Sequence, residues 1–161
     1  MSQQPFRSKA PHPRRRTVVR RSGVHGRGVY AQVHIPAGEY LFDYEGEVIS
    51  WDEAMRRHPY DPEHPDHTFF FQLEQGGQVI DPMVGGNSAR WINHSCEPNC
   101  QAREEGQRVR IYTLRELQPG EELFYDYGLV LDERYTPAVK KRYACFCGSA
   151  SCRRTMLAPK R

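Results

Sequence analysis

Arg90-Trp91-Ile92-Asn93-His94-Ser95-Cys96-Glu97-Pro98-Asn99-Cys100 is the stretch on which the reading of this chain turns. It crowds Asn, His, Ser and Cys together and closes on Pro-Asn, a composition foreign to a core strand. Buried Asn and His side chains require hydrogen-bond partners, so the segment points to a ligand or to a crossing of two chain segments. A polar loop with His94 in a structural role is the plainer alternative.

Three other stretches carry chemistry. Glu122-Leu123-Phe124-Tyr125-Asp126-Tyr127 places Tyr125 and Tyr127 two apart, on one face of an expected strand over 123–127. Such a pair packs a core or lines a channel with polar tips. Cys145-Phe146-Cys147-Gly148-Ser149-Ala150-Ser151-Cys152 brings three thiolates within reach of one tetrahedral Zn²⁺, and Cys96 and Cys100 are the remaining thiols that could complete it. Glycines 23, 26 and 28 lack the spacing of a dinucleotide fold or a P-loop, and mark a tight turn or a close backbone approach.

The 161 residues suffice for one domain with a real core. At 38% hydrophobic and 27% charged, the chain is neither a membrane protein nor wholly disordered. Its apolar runs, such as Thr68 to Phe71, fall far short of the roughly 20 residues of a membrane span, and no secretory signal is visible at the N-terminus. Five cysteines, three of them crowded together, argue against a disulfide scaffold and for metal binding in a reducing compartment. The net charge of +3 hides an uneven distribution. Residues 1–21 carry seven basic side chains and residues 134–161 eight, neither with an acid, whereas residues 22–133 carry eight basic and all twenty acidic groups, a net of −12. An acidic body attracts cationic ligands, and the basic ends could make weak contact with nucleic acid or simply keep the protein soluble.

Residues 1–16, with Pro5, Pro11 and Pro13 and no hydrophobic period, read as a disordered basic arm. From Thr17 short β segments follow one another between turns: 17–19, 29–31, 40–42, 47–49, 69–73, 79–80, 108–114 and 123–127. Ser50 is placed to cap a short helix that starts near Trp51 and ends before Pro59, and 58–67 reads as an exposed loop. The class is mainly β with a few short helices.

Taken in order, the glycine turn, Tyr44-Glu45-Gly46-Glu47, the Asn93–Asn99 block, Glu122–Tyr127 and the cysteine cluster resemble a SET domain (about 17–130) followed by a post-SET segment (131–161). The family consists of protein-lysine methyltransferases that use S-adenosyl-L-methionine. The resemblance implies small curved sheets in a β-clip-like fold, with a C-terminal pseudoknot. It implies cofactor contacts from His25, Gly26, Arg27, Phe69, Asn93 and His94, an active-site Tyr127, and a lysine channel lined by Tyr44 and Tyr125. It also implies one structural zinc on Cys96, Cys145, Cys147 and Cys152, leaving Cys100 unliganded. The expected substrate is a lysine of a histone tail or another basic protein, carried mainly to the mono- or dimethyl state. The expected setting is intracellular, at chromatin in a eukaryote and in the cytoplasm or a host cell for a bacterium. A degenerate, non-catalytic module that binds basic peptides or nucleic acid is the alternative, and the presence of every tyrosine and of Asn93-His94 favours the enzyme.

Overall fold

Short β-branched and aromatic runs, each cut off by glycine or proline, form small separate sheets here rather than one large one. The computed structural model describes residues 16–58, 70–74, 77–131 and 133–159. Strands β1 (Thr17–Arg21) and β2 (Arg27–Ala31) pair antiparallel, with Thr17 opposite Ala31. A second sheet has the order β3 (Tyr40–Asp43), β9 (Arg108–Thr113), β8 (Cys100–Glu105). A third has the order β4 (Glu47–Ser50), β6 (Gln78–Asp81), β5 (Phe71–Gln72). In β9 the expected alternation holds, and Val109, Ile111 and Thr113 face the core. The arm before residue 16 and most of the expected 58–67 loop lie outside the described residues. No described helix is long and apolar enough to cross a membrane.

Helix α1 (Trp51–Arg57) begins where the sequence puts it, with Ser50 Oγ accepting the Glu53 N–H at 3.1 Å. Arg57 then ties the helix to the third sheet through Glu47 (2.9 Å) and the fully buried Asp81 (3.3 Å). A second helix, α2 (Pro137–Arg142), escaped the sequence reading. Thr136 caps it by accepting the Val139 N–H, and Pro137 occupies the first position, where its missing N–H costs nothing.

The last two strands decide the architecture. β7 (Asn93–His94) and β10 (Phe124–Tyr125) run parallel, Phe124 beside Asn93 and Tyr125 beside His94. The strand expected over 123–127 is therefore shorter than its sequence pattern. At its start the Leu123 N–H goes to the Val29 carbonyl, and at its end the Tyr127 N–H goes to a histidine side chain, so the ladder stops at both ends. Asn99, 4% exposed, locks the crossing: its Nδ2 donates to the Glu122 carbonyl and its Oδ1 accepts the Phe124 N–H, both at 2.8 Å. The side-chain amide thus takes the place of one more residue of strand pairing.

Asn99→Ala should destabilise the protein by about 2–4 kcal/mol, because it leaves a partly buried carbonyl and a partly buried amide unpaired. Asn99→Asp should cost more, since it turns an oxygen toward the Glu122 carbonyl. Denaturant midpoints for the two variants check both the sign and the order.

Candidate functional site

The crossing of β7 and β10 opens on one side into a cavity of about 280 Å³. Its floor comes from the turn before β2. The Ser22 N–H bonds the Gly26 carbonyl at 2.7 Å, and Gly26 adopts a left-handed φ of 47° that a side chain would disfavour. Asn93 fastens this turn to β7, its Nδ2 donating to the carbonyls of His25 and Arg27, both at 3.0 Å. His25, Gly26, Arg27, Asn93 and His94 all line the cavity. Phe69 lies outside the described residues, and its neighbours Phe70 and Phe71 line the wall where it was expected.

Tyr44, Tyr125 and Tyr127 close the inner end. Tyr44 follows β3, fixed by its N–H to the Val109 carbonyl at 2.8 Å. Phe71 stands between Tyr44 and Tyr125, with ring centroids at 5.3 and 6.2 Å, and the Tyr125 and Tyr127 rings are 4.9 Å apart. The expected common face of Tyr125 and Tyr127 is thus a direct ring contact. Burial holds all three phenols well above their ordinary pKa, so each is neutral at physiological pH. Tyr127 Oη donates to the Ile92 carbonyl at 2.5 Å, which commits its proton.

His94, 5% exposed, accepts the Tyr127 N–H at Nδ1 at 3.0 Å. That bond fixes the tautomer with the proton on Nε2. Burial outweighs the nearby Asp126 and pushes the imidazole down to about 4, so His94 is neutral as well.

The C-terminal segment forms the remaining wall through Tyr143, Ala144, Cys145, Phe146 and Met156. The Sγ atoms of Cys96, Cys145, Cys147 and Cys152 lie within 4.8 Å of one another, and Cys96 Sγ to Cys145 Sγ is 3.8 Å. Four thiolates at about 2.3 Å from a zinc ion stand about 3.8 Å apart along each tetrahedral edge, so the cluster fits that ion. Backbone N–H groups of Arg153, Cys147 and Arg154 reach the sulfurs of Cys96, Cys145 and Cys152, each at 3.4 Å, and offset negative charge there. Cys100, the other thiol the spacing left open, is 1% exposed in the core outside the cluster, and burial pushes it up to about 12.

The sequence reading assigned no part to Arg90 and Trp91, which line the cavity. The Arg90 guanidinium lies 4.4 Å from the Trp91 ring centre and that of Arg27 5.3 Å, so cationic and aromatic surface meet there. A short 3-10 turn (Ser88–Trp91), capped by Asn87, delivers them. Phe146, 77% exposed, also lines the cavity, and its place between two cysteines of the cluster is the sequence signal for it.

Purified protein should carry about one zinc per chain, and Cys147→Ser should lose it. Chelation should remove hydrogen-exchange protection from Cys145 and Met156, whose amides bond the Arg154 and Tyr143 carbonyls, while β8 and β9 stay protected. A metal-free protein with the same protection pattern would exclude the site.

The SET domain family matches residues 26–128. Trithorax of Drosophila virilis, a histone-lysine N-methyltransferase, is 36% identical over 140 residues, covering 84% of this chain and 3% of that protein. Human histone-lysine N-methyltransferase 2B is 37% identical over 140 residues, covering 84% and 5%. The H3 lysine-4 specific histone-lysine N-methyltransferase of Emericella nidulans is 38% identical over 138 residues, covering 83% and 11%. The chain therefore spans a small part of these relatives. Among solved structures, Polycomb Repressive Complex 2 of Chaetomium thermophilum bound to GSK126 superposes with a TM-score of 0.63 at 32% identity, over 70% of this chain and 16% of that one. The same complex in an autoinhibited conformation bound to S-adenosylmethionine gives 0.63 at 33% identity, over 71% and 15%.

Proposed function

The chain belongs to the SET-domain family, and from that premise we propose that it transfers a methyl group from S-adenosylmethionine to the ε-amine of a lysine in a basic protein, such as a histone tail. The observation that carries this reading is the convergence of three neutral phenols and the Asn93–turn clamp on one cavity. When bound, S-adenosylmethionine supplies an electrophilic methyl on a sulfonium. His25, Gly26, Arg27, Asn93, His94 and the Phe70–Phe71 wall would hold it, with Phe69 in the adjoining stretch, and the phenols would receive the lysine.

An ordinary lysine amine, with a pKa of about 10.4, is protonated at neutral pH and cannot attack. The aromatic walls given by Tyr44, Phe71 and Tyr125 disfavour the ammonium and lower that pKa. No phenol here accepts the proton, because each is held neutral by burial and Tyr127 already donates to Ile92. His94 cannot accept it either, since its acceptor nitrogen is occupied by the Tyr127 amide. The amine therefore sheds its proton to water before it is aligned, and the side chains orient it. Holding reactants in near-attack geometry lowers a barrier by about 7–11 kcal/mol.

The acidic body, net −12 over residues 22–133, suits a cationic peptide. We assign the catalytic body to 17–130, the closing wall to 131–161, and to the basic termini at most a weak hold on nucleic acid. In a eukaryote such an enzyme acts at chromatin. Transfer of labelled methyl to a mixed histone preparation and to a basic peptide array tests the reading, and no label on either would refute it.

Tyr127→Phe keeps the ring and removes the hydroxyl bonded to Ile92, so folding should survive while turnover falls about 10²–10³-fold, as for other positioned groups. Near-normal turnover would pass the role to Tyr44.

The Tyr125 hydroxyl takes up room beside the Tyr127 ring and can anchor a water on the amine. A methylated amine must displace that water at a cost of about 0.5–1.5 kcal/mol plus steric room. The wild type should therefore stop mainly at mono- or dimethyl-lysine, and Tyr125→Phe should raise the degree of methylation. Mass spectrometry of a single-lysine peptide at long reaction times decides it.

A further inference from the structure

Glu122 opens the Glu-Leu-Phe-Tyr-Asp-Tyr stretch, and nothing in the mechanism above uses its side chain. Its Oε1 lies 3.1 Å from Asn93 Nδ2, the same nitrogen that donates to the His25 and Arg27 carbonyls at 3.0 Å each. Two amide hydrogens thus face three acceptors, one of them a carboxylate. The reversed rotamer of the amide would point Oδ1 at all three, which like partial charges forbid.

A second, independent feature concerns Gly28. It sits within β2, outside the set of glycines with left-handed φ, so no backbone requirement calls for glycine there. A Cβ added to Gly28 would come within 1.9 Å of Glu122 Oε1 and 2.8 Å of its Cδ. The space that a side chain on β2 would occupy is filled by this carboxylate. The Glu122 backbone is held in place by Asn99 Nδ2 at 2.8 Å and by its bridge to Tyr30, so the side chain is aimed from a fixed base.

We infer that Glu122 is a positioning residue: its carboxylate, admitted by Gly28, joins the His25 and Arg27 carbonyls in setting the orientation of the Asn93 amide and so presents Asn93 Oδ1 as a hydrogen-bond acceptor to the cavity. An acceptor backed through its own amide by a carboxylate suits a cationic donor, such as the ammonium of an α-amino acid, better than an anion. This inference rests on the functional reading for the identity of the ligand, not for the geometry of the clamp. Glu122 itself does not line the cavity; it acts through Asn93.

The test uses Glu122→Ala, the near-isosteric Glu122→Gln, Gly28→Ala and the double variant Gly28→Ala/Glu122→Ala, with S-adenosylhomocysteine as an unreactive probe in titration calorimetry. Hydrogen bonds to a charged group predict an affinity about 10- to 100-fold weaker for Glu122→Ala and a smaller loss for Glu122→Gln. The KM for S-adenosylmethionine should rise more than kcat falls. Gly28→Ala pushes the flexible end of Glu122 aside and should reproduce the loss, yet add little in the Glu122→Ala background, a strong non-additivity between contacting residues. In ligand-free protein, NMR should show the Asn93 Nδ2 hydrogens shifted and less protected from exchange in Glu122→Ala than in the wild type, with the His25 and Arg27 carbonyls left as acceptors. Unchanged Asn93 side-chain signals in Glu122→Ala, or additive losses in the double variant, would overturn the inference. If the wild type binds no S-adenosyl compound, the functional reading falls, and the ligand-free amide measurement still decides the role of Glu122.

Discussion

Two hydrogen bonds from one buried amide, that of Asn99, hold the structure at its most improbable point. They join a polar segment, Asn93 to Asn99, to a strand 25 residues further along the chain. Neither segment could be buried alone, because each carries backbone and side-chain groups that need partners. Side by side they satisfy one another: Ser95 N–H to the Tyr125 carbonyl, Tyr127 N–H to His94, Tyr127 Oη to Ile92. Tyr125, Tyr127, His94 and Asn93 owe their positions to this crossing, as does Cys96 at its edge, whereas Tyr44 is delivered by β3.

The inner end of the cavity, where the three tyrosines and His94 meet, is neutral although it is rich in ionisable groups. Burial raises the phenols and lowers the imidazole, so every one of these side chains rests in its uncharged form. Charge lies away from that end, in Arg27 and Arg90 beside Trp91, in Glu122 behind Asn93 and in Arg153 paired with Asp126 at 2.9 Å. A chamber of this kind discriminates between an amine and its ammonium without a side-chain base. It favours the uncharged nucleophile, and the flanking hydrogen bonds supply direction.

The helix at Trp51, the alternation in β9 and three of the four clustered cysteines were legible because each rests on a local rule, a serine cap, a period of two, a thiol spacing, whereas the choice of Cys96 over Cys100 came from the family resemblance alone. The ends of β10 were not legible. The sequence over 123–127 has strand composition throughout, yet Val29 and His94, both remote in sequence, take the donors that would have extended the ladder. Helix α2 was missed because its six residues give no hydrophobic period, and only Val139 is buried. Among the site residues, those with unusual chemistry stood out, whereas Arg90 and Phe146 look like surface residues until the fold brings them to the cavity. Glu122 was hidden for another reason: its meaning depends on Gly28 and Asn93, one on each side of it in space and neither near it in sequence.

The C-terminal wall has few apolar anchors of its own, and the four-cysteine cluster is placed to add one. Between Val139 and Leu157 these two aliphatic side chains are buried, worth about 1.5–3 kcal/mol each. Ordering only a few residues, at about 1–2 kcal/mol apiece, offsets that gain. Backbone pairing is confined to the isolated bridges Ala144–Thr155 and Leu129–Leu157 and the hydrogen bonds around them, with no strand ladder. A tetrathiolate site that joins Cys96 to three cysteines about fifty residues away supplies the missing constraint. It fixes the wall to the same crossing that Asn99 secures. The cysteine cluster and the Asn99 clamp therefore hold opposite ends of one short segment, Cys96 to Asn99, which runs beside the cavity.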